Sequence, residues 1–229
     1  MILKLLVFRH SETFDNRRGI FSGWRDSDLT LKGISQAQDI AEQLKRYRID
    51  YAFTSHLRRA RKTLEIALQD HPSVKVFIDD RLIERCYGLL QGKDKRKVAQ
   101  ENPDWYAQIQ RRYNFIPPEG ESLSMVEKRV LSFLAQFRDW FGQTRGNVAI
   151  SCHGNSIRPI RRVFEHLNMK QMLQLETSHD CVLVHDFHQH DWRIESPRER
   201  VAKLDWKGIV IPRKVRLATD SLNPLKKYY

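Results

Sequence analysis

Short apolar runs alternate along the chain with longer segments in which apolar residues recur every three or four positions. The short runs predict buried strands, because their length and composition suit the interior of a sheet. They lie at residues 2–8, 51–54, 74–78 and 147–152. Residues 182–187 and 192–194 predict a closing hairpin. Strands that alternate with helices predict an α/β fold, with a mostly parallel sheet flanked by helices on both faces.

Helical spacing of apolar residues predicts helices after Thr30, over residues 57–68, after Ser124 and after His153. Thr30 is a suitable N-cap, because its hydroxyl can accept a hydrogen bond from a first-turn N–H. Ser124 and Glu127 have the spacing of a capping box. These signals fix the expected starts of two helices.

Residues 85–120 differ in character from the rest of the chain. They contain many Lys, Arg and Gln residues and the pair Pro117–Pro118, so we expect a lid-like insertion that partly covers a site. From residue 196 onward apolar periodicity is weak and prolines recur. The expected organisation is a main domain over residues 1–195 and a basic C-terminal extension over residues 196–229.

Composition narrows the choice of partner and compartment. Lys and Arg outnumber Asp and Glu by 40 to 28, and the formal charge of +12 favours an anionic partner. Cys86, Cys152 and Cys181 form no CxxC pair, so we expect a reducing compartment. No apolar run approaches the roughly 18 residues of a membrane helix, and we expect a cytoplasmic protein without a membrane partner. The oligomeric state stays open, and a homo-oligomer is compatible with the sequence.

Two of the predicted strands end in a histidine. His10 directly follows the first strand, beside Arg9, and His153 directly follows the fourth. Arg58 and Arg59 lie just past the second strand. Ligands bind beyond the carboxyl ends of the strands in such sheets. If these strand ends are neighbours, the imidazole and guanidinium groups share one pocket.

Such a pocket suits phosphoryl transfer. A guanidinium group can donate two parallel hydrogen bonds to the oxygens of one phosphate, and it keeps its positive charge at any ordinary pH. A neutral imidazole can attack phosphorus and form a phosphohistidine, while a second, protonated histidine can stabilise the phosphoryl oxygens. A carboxylic acid must protonate the leaving oxygen, and Glu84, after the third strand, is the candidate.

Four segments resemble, in order, the motifs of one family. They are RHSETFDNRRGIFSGWRDSDLT from Arg9, SHLRRARKT from Ser55, ERCYGLLQG from Glu84 and HGNSIR from His153. Together they are similar to the histidine phosphatase superfamily, and specifically to its cofactor-dependent phosphoglycerate mutase branch. The resemblance implies that residues 1–195 form a mutase-like catalytic domain.

The resemblance also implies a role for each matching residue. His10 would be the phosphorylated nucleophile, and Glu84 would be the proton donor and acceptor. The phosphoryl group would be bound by Arg9, Arg59, His153 and Asn16. The rest of the substrate would be bound by Ser22, Gly23, Tyr87, Lys95, Arg111, Arg112 and Asn155.

The implied reaction is the interconversion of 2- and 3-phosphoglycerate, primed by 2,3-bisphosphoglycerate and without a metal. Lys95, Arg111 and Arg112 would clamp a second anionic group, which a plain phosphatase does not need. The alternative is a phosphatase that acts on another small phosphorylated metabolite. A more remote alternative is a nucleic-acid-binding protein on an inactive version of the fold, because the tail interleaves basic and aromatic residues. We expect a small phosphorylated anion as the substrate and disfavour nucleic acid as a partner.

Three features depart from this reading or compete with it. Ser11 replaces the glycine usual after the nucleophile, which would be costly if that position needed a positive φ. Cys86 replaces a histidine that is usual in the family. The segment HDFHQHD at 185–191 is rich in histidine, but a hairpin turn there would not make the side chains converge on a metal.

Overall fold

A computed structural model describes residues 3–141 and 146–187, apart from the side chain of Arg111. The strands are β1 (Leu3–Arg9), β2 (Tyr51–Thr54), β3 (Lys75–Ile78), β4 (Val148–Cys152) and β5 (Val182–Phe187). They form one sheet in the order β3-β2-β4-β1-β5. All neighbours run parallel except β5, which is antiparallel to β1. The mostly parallel sheet predicted from the sequence is confirmed.

Helices alternate with the strands along the described chain. They are α1 (Phe14–Arg18), α2 (Leu31–Leu44), α3 (Arg58–Ala67), α4 (Lys95–Glu101), α5 (Pro103–Arg111), α6 (Leu123–Phe141), α7 (Gly154–Phe164) and α8 (Met169–Gln174). Two short 3-10 turns lie at Asp80–Leu82 and Gly88–Leu90. The Thr30 side chain caps α2 as predicted, by accepting a hydrogen bond from the N–H of Gly33 at 2.9 Å.

The sheet is packed between two helical layers. Alternate residues of β1 point to opposite faces, as the period of a strand requires. Leu5 and Val7 pack with α6 and α7, whereas Leu6 and Phe8 pack with α2 and α3. All four are fully buried, which explains why the strand has a continuous apolar sequence.

The strand register brings the two strand-end histidines together. β1 and β4 are parallel neighbours, and Arg9 pairs with Cys152 at their last shared position. The next residue of each strand is a histidine, and the N–H of His10 donates to the carbonyl oxygen of Cys152 at 2.9 Å. The pairing therefore places His10 and His153 side by side at the carboxyl edge of the sheet.

Residues 85–120 form α4, α5, the 3-10 turn at Gly88–Leu90 and connecting loops, and the side chain of Arg85 joins distant parts of this segment to one another. This side chain is buried and donates to the carbonyl oxygens of Glu121, Ile109 and Phe115, at 2.7, 2.7 and 3.1 Å. A small apolar cluster that includes Phe21 packs beneath α4 and α5. The segment thus lies beside the carboxyl edge of the sheet. Its function as a lid stays a prediction.

The predicted capping box of Ser124 and Glu127 is wrong. Helix α6 begins at Leu123, two residues before the start that an N-cap at Ser124 predicts, and the Ser122 hydroxyl accepts a hydrogen bond from the N–H of Met125 at 3.1 Å. Glu127 is buried and instead accepts hydrogen bonds from the Tyr113 hydroxyl and from Nη1 of Arg162, the latter at 2.6 Å. Its carboxylate is fixed by tertiary contacts and does not reach back to the helix start.

Some expectations concern residues outside the described ranges. The second arm of the closing hairpin, at 192–194, and the extension at 196–229 belong to this group, as does most of the histidine-rich segment. Among the helices that the structure describes, none combines the length and the apolar character needed to span a bilayer.

Candidate active site

His10 lies at the end of β1 with its ring fixed by one hydrogen bond. Its Nδ1 lies 2.9 Å from the carbonyl oxygen of Ser11, and because a carbonyl only accepts, Nδ1 carries the proton. The other nitrogen, Nε2, keeps a lone pair. Burial, together with the charges of Arg59 and Arg9, lowers the pKa of His10 well below its ordinary value. The ring is therefore neutral and suited to nucleophilic attack.

Two guanidinium groups lie in the same pocket as this histidine. The buried Arg59 donates from its two Nη atoms to the carbonyl oxygens of Arg25 and Gly23, both at 2.7 Å. Arg9 donates from Nη1 to the carbonyl oxygen of Thr177 at 3.3 Å. These bonds orient both groups, and neither guanidinium forms an ion pair with a carboxylate among the residues that the structure describes.

His153 packs against His10, with ring centres 5.1 Å apart. The Ser55 hydroxyl lies 2.8 Å from its Nε2. Burial and the charge of Arg59 lower the pKa of His153 well below its ordinary value. The ring is thus neutral, which differs from the protonated second histidine expected from the sequence. A phosphoryl dianion beside it would favour the protonated form.

Three buried nitrogen atoms around the nucleophile find no acceptor among the described residues: Nε of Arg9, Nε of Arg59 and Nδ1 of His153. A buried donor without an acceptor is costly, typically by about 1–3 kcal/mol. The oxygens of a phosphoryl group on His10 would supply charged acceptors. The site therefore suits a tetrahedral anion.

Glu84 faces the two histidines from the segment after β3. Its Oε1 accepts hydrogen bonds from the N–H of Arg85 at 2.8 Å and from Nδ2 of Asn155 at 3.0 Å. Asn155 Nδ2 also donates to the hydroxyl of Tyr87 at 3.1 Å. Ligand atoms of His10, Glu84 and His153 all lie within 4.8 Å of one another. The carboxyl group is close enough to exchange a proton with a substrate oxygen bound at the nucleophile.

Two imidazoles and a carboxylate at this spacing are also a donor set that a metal ion could use. The two guanidinium groups beside them oppose the entry of a cation, because like charges in a buried site repel strongly. The surroundings therefore favour an anion over a metal. The expected independence from metal stays a prediction.

The family model of the histidine phosphatase superfamily, branch 1, matches residues 5–200. The chain belongs to this superfamily. It is 30% identical to the 2,3-bisphosphoglycerate-dependent phosphoglycerate mutase of Protochlamydia amoebophila, with 83% of this chain and 98% of the relative covered. The resemblance inferred from the four motifs is confirmed.

Relatives of this chain include both mutases and phosphatases. The phosphoglycerate mutase of Schizosaccharomyces pombe is 35% identical, over 79% of this chain and 88% of that protein. The solved alpha-ribazole phosphatase of Shigella flexneri is 27% identical and superposes with a TM-score of 0.70, over 80% of this chain and 89% of that one. The chain is accordingly an enzyme of the mutase or phosphatase type, in a family whose members act on small phosphorylated substrates.

Most of the superfamily's expected substrate residues line one pocket together with His10. Those that do are Asn16, Ser22, Gly23, Tyr87, Lys95 and Asn155. Arg112 does not line it: α5 ends at the preceding residue, and Arg112 is exposed with an extended backbone. Gln110, in the last turn of α5, lines the pocket instead. The side chain of Arg111 is outside the described structure, and the roles of all these residues stay predictions.

The pocket also contains residues that sequence reasoning missed. Arg158 lines the pocket, and Ser55 does not line it but lies 2.8 Å from Nε2 of His153. Both belong to recognised motifs, HGNSIR and SHLRRARKT, so their positions carried a signal in the sequence. Glu176 and Thr177 line the pocket from the segment between α8 and β5. No sequence motif marks that segment, and it reaches the site because β5 pairs with β1.

Ser11 fits its position without backbone strain. Among the described residues other than glycine, only Glu119 and His166 have a positive φ, so the concern about the missing glycine does not apply. The Ser11 hydroxyl donates to the carbonyl oxygen of His179 at 3.3 Å. The ring of His179 in turn donates from Nδ1 to the carbonyl oxygen of His10 at 2.7 Å. Ser11 and His179 thus brace the backbone of the nucleophile.

The neutral histidines should make the superfamily member sensitive to acid. Burial lowers the pKa of His10, His153 and His179, the last to about 4. Below a pH of about 6.5 the unfolded chain binds protons at these rings while the folded chain does not, so stability falls as the pH drops towards 4. Each proton bound on unfolding removes about 1.4 kcal/mol of stability per pH unit.

We expect the melting midpoint to fall by on the order of 10 °C per pH unit between pH 6 and pH 5. Scanning calorimetry at pH 7, 6 and 5 measures it. His179→Gln removes one of these rings and should reduce the slope by less than a third, because burial also lowers the pKa of His71 and of His185. A midpoint that stays constant down to pH 5 would contradict the neutral state of the three histidines.

Proposed function

We propose that the chain transfers a phosphoryl group through a phosphorylated His10. The lone pair on Nε2 attacks phosphorus and forms an N–P bond, while the P–O bond of the substrate breaks and its electron pair goes to the leaving oxygen. Glu84 donates a proton to that oxygen. An acceptor hydroxyl then attacks the phosphohistidine, Glu84 takes up its proton, and His10 returns to the neutral form.

The remaining polar groups would act on the charge of the phosphoryl group in flight. Arg9 and Arg59 cannot lose their protons and present unused Nε donors. His153 can gain a proton as negative charge approaches. Donors that are already oriented need little reorganisation when the phosphoryl oxygens arrive, which is the main source of electrostatic catalysis.

The pocket best supports 2,3-bisphosphoglycerate-dependent interconversion of 2- and 3-phosphoglycerate. The observation that carries this proposal is a second pair of cations, Lys95 and Arg158, which line the same pocket as His10. A simple monophosphate does not require that pair, whereas phosphoglycerate adds a carboxylate and bisphosphoglycerate a second phosphate. 2,3-Bisphosphoglycerate would prime His10 and, as the intermediate, would reorient before it returns its other phosphate.

Hydrolysis is the second candidate, and the position of Arg112 favours it. The paired arginines that resemble a mutase clamp do not both reach the pocket, since Arg112 is exposed outside it. Water could then take the place of the acceptor hydroxyl. The alpha-ribazole phosphatase of Shigella flexneri shares the fold at 27% identity, which is compatible with this reading.

A coupled assay separates the two candidates. The protein is given 3-phosphoglycerate with and without 2,3-bisphosphoglycerate, while 2-phosphoglycerate and inorganic phosphate are followed together. We expect bisphosphate-dependent formation of 2-phosphoglycerate with little free phosphate. Inorganic phosphate as the main product would refute the mutase proposal and establish a phosphatase.

Arg111→Ala should weaken mutase activity more than hydrolysis of a simple aryl phosphate. An arginine that binds the second anionic group of a phosphoglycerate has no partner in an aryl phosphate, so we expect a selective loss of about tenfold or more. Arg112→Ala is the matched control, since its side chain is exposed outside the pocket. Equal losses with both substrates would argue against a clamp.

A further inference from the structure

The segment that follows α8 is pinned at the mouth of the pocket. The carbonyl oxygens of residues 175–177 each accept a hydrogen bond from a different arginine. The donors are Arg158, Arg161 and Arg9, at 3.2, 3.3 and 3.3 Å. The backbone of the middle residue, Glu176, is therefore fixed where the pocket opens.

The carboxylate of Glu176 is free to move although its backbone is held. Its side chain is 87% exposed, and Oε1 lies 3.6 Å from Nη2 of Arg158, which is longer than a hydrogen bond. Exposed ion pairs of this kind contribute little to stability and separate easily. The other hydrogen-bond acceptors of Arg158 are uncharged, among them Oδ1 of Asn155 at 3.1 Å. Among the described residues, Glu176 is the one that places a carboxylate within ion-pair distance of Arg158.

Glu176 also acts on two other cations of the pocket. Burial lowers the pKa of Lys95 and of Arg9, and in both cases the negative charge of Glu176 opposes that fall. The Nζ of Lys95 lies 5.5 Å from the centre of the Phe21 ring. One carboxylate at the mouth thus contacts Arg158 and lies within electrostatic range of Arg9 and Lys95.

We infer that Glu176 is a built-in counter-anion that competes with the second anionic group of the substrate for Arg158. Without ligand, its carboxylate partly neutralises the cations of the outer pocket. A substrate that carries a carboxylate or a second phosphate must displace Glu176 to reach Arg158. A substrate without such a group leaves the pair intact. Glu176 therefore lowers the affinity of the pocket for doubly anionic substrates and leaves its affinity for singly anionic substrates almost unchanged.

The role of Glu176 rests on the proposed function in one respect, namely that the phosphoryl group of the substrate binds at His10. It applies to a mutase and to a phosphatase alike. A test by equilibrium binding is therefore independent of turnover. The probes are 3-phosphonopropionate and propylphosphonate, which have the same phosphonate and chain length but end in a carboxylate and a methyl group. Neither can be hydrolysed, and calorimetric titration at low salt measures both affinities.

Glu176→Gln should tighten binding of 3-phosphonopropionate by about fivefold or more and change that of propylphosphonate by less than about twofold. Glu65→Gln is the matched control, because Glu65 is another exposed glutamate in an ion pair, with Lys62 on α3 at 3.1 Å. It makes the same change in net charge outside the pocket. It should leave both affinities unchanged.

Several results would overturn the assignment. If both probes bound more tightly by the same factor, Glu176 would act only through the net charge of the protein. If 3-phosphonopropionate bound no more tightly, Glu176 would have no part in the selectivity of the pocket. Failure of every form to bind either probe would also refute it. In an Arg158→Gln background the effect of Glu176→Gln should shrink, and its full persistence would exclude Arg158 as the contested cation. The mutase assay can fail while the selective effect of Glu176→Gln stands, so the two proposals are tested separately.

Discussion

A His10→Ala variant is expected to lose turnover by about 10⁴-fold or more with every phosphorylated substrate. Nε2 of His10 is the atom that bonds to phosphorus in the proposed mechanism, and alanine offers no nucleophile in its place. Steady-state assays measure the loss. A companion measurement detects the phosphorylated protein directly. It avoids acid quenching, because an N–P bond is labile to acid and stable to base. Radiolabelled substrate should mark the wild-type chain and leave the variant unlabelled.

His71→Ala is the matched control for His10→Ala. His71 precedes β3, at the amino edge of the parallel strands and so at the opposite end of the sheet from the pocket. It should retain both turnover and labelling. Circular dichroism checks that both variants are folded. Normal turnover in folded His10→Ala protein would rule out the phosphohistidine mechanism.

Glu84→Gln should lower kcat for phosphoglycerate by about 10²–10⁴-fold, the usual contribution of a general acid. The amide keeps the oxygen that accepts from Arg85 and Asn155 but has no acidic proton. The loss should depend on the leaving group, because an alkoxide needs protonation whereas a nitrophenolate leaves as a stable anion. Comparison of phosphoglycerate with p-nitrophenyl phosphate measures this dependence.

Glu121→Gln is the companion control for the general acid. Glu121 is a nearby carboxylate with a structural role, since it accepts from the N–H of Cys86 at 2.9 Å and pairs with Arg129 at 3.0 Å. Any loss in this variant should be the same for both substrates. If Glu84→Gln reduced both reactions equally, Glu84 would be a positioning residue and another group would supply the proton.

The part of the site that follows from sheet geometry could be predicted from the sequence. His10 and His153 end neighbouring parallel strands, and the carboxyl ends of such strands meet at one edge. Sheet geometry alone did not indicate whether Arg58 or Arg59 enters the pocket, and the family motif was needed to select Arg59. In the structure Arg59 is buried in the pocket, whereas Arg58 is exposed and pairs with Asp26 at 3.4 Å.

Other parts could not be predicted, because tertiary contacts decide them. The pattern at Ser124 and Glu127 is a sound local signal, but two buried partners hold the Glu127 carboxylate elsewhere. Glu176 and His179 belong to no motif. The pairing of β5 with β1 and hydrogen bonds from Arg9 and Arg158 bring their segment to the site, where Glu176 lines the pocket and His179 bonds to the backbone of His10.

The strand order also governs when a newly made chain acquires its activity. β4 lies between β2 and β1, so the first 141 residues contain the edges that flank it but not the strand that joins them. Chains are synthesised from the amino terminus at roughly 5–20 residues per second. Until residues 148–187 have been synthesised, β1 lacks both of its sheet partners, β4 and β5. Its unpaired edges are then open to pairing with other chains. His10 is made early, but His153, Asn155 and Arg158 follow β4 in the chain, so the pocket cannot be complete until that part of the chain has been synthesised.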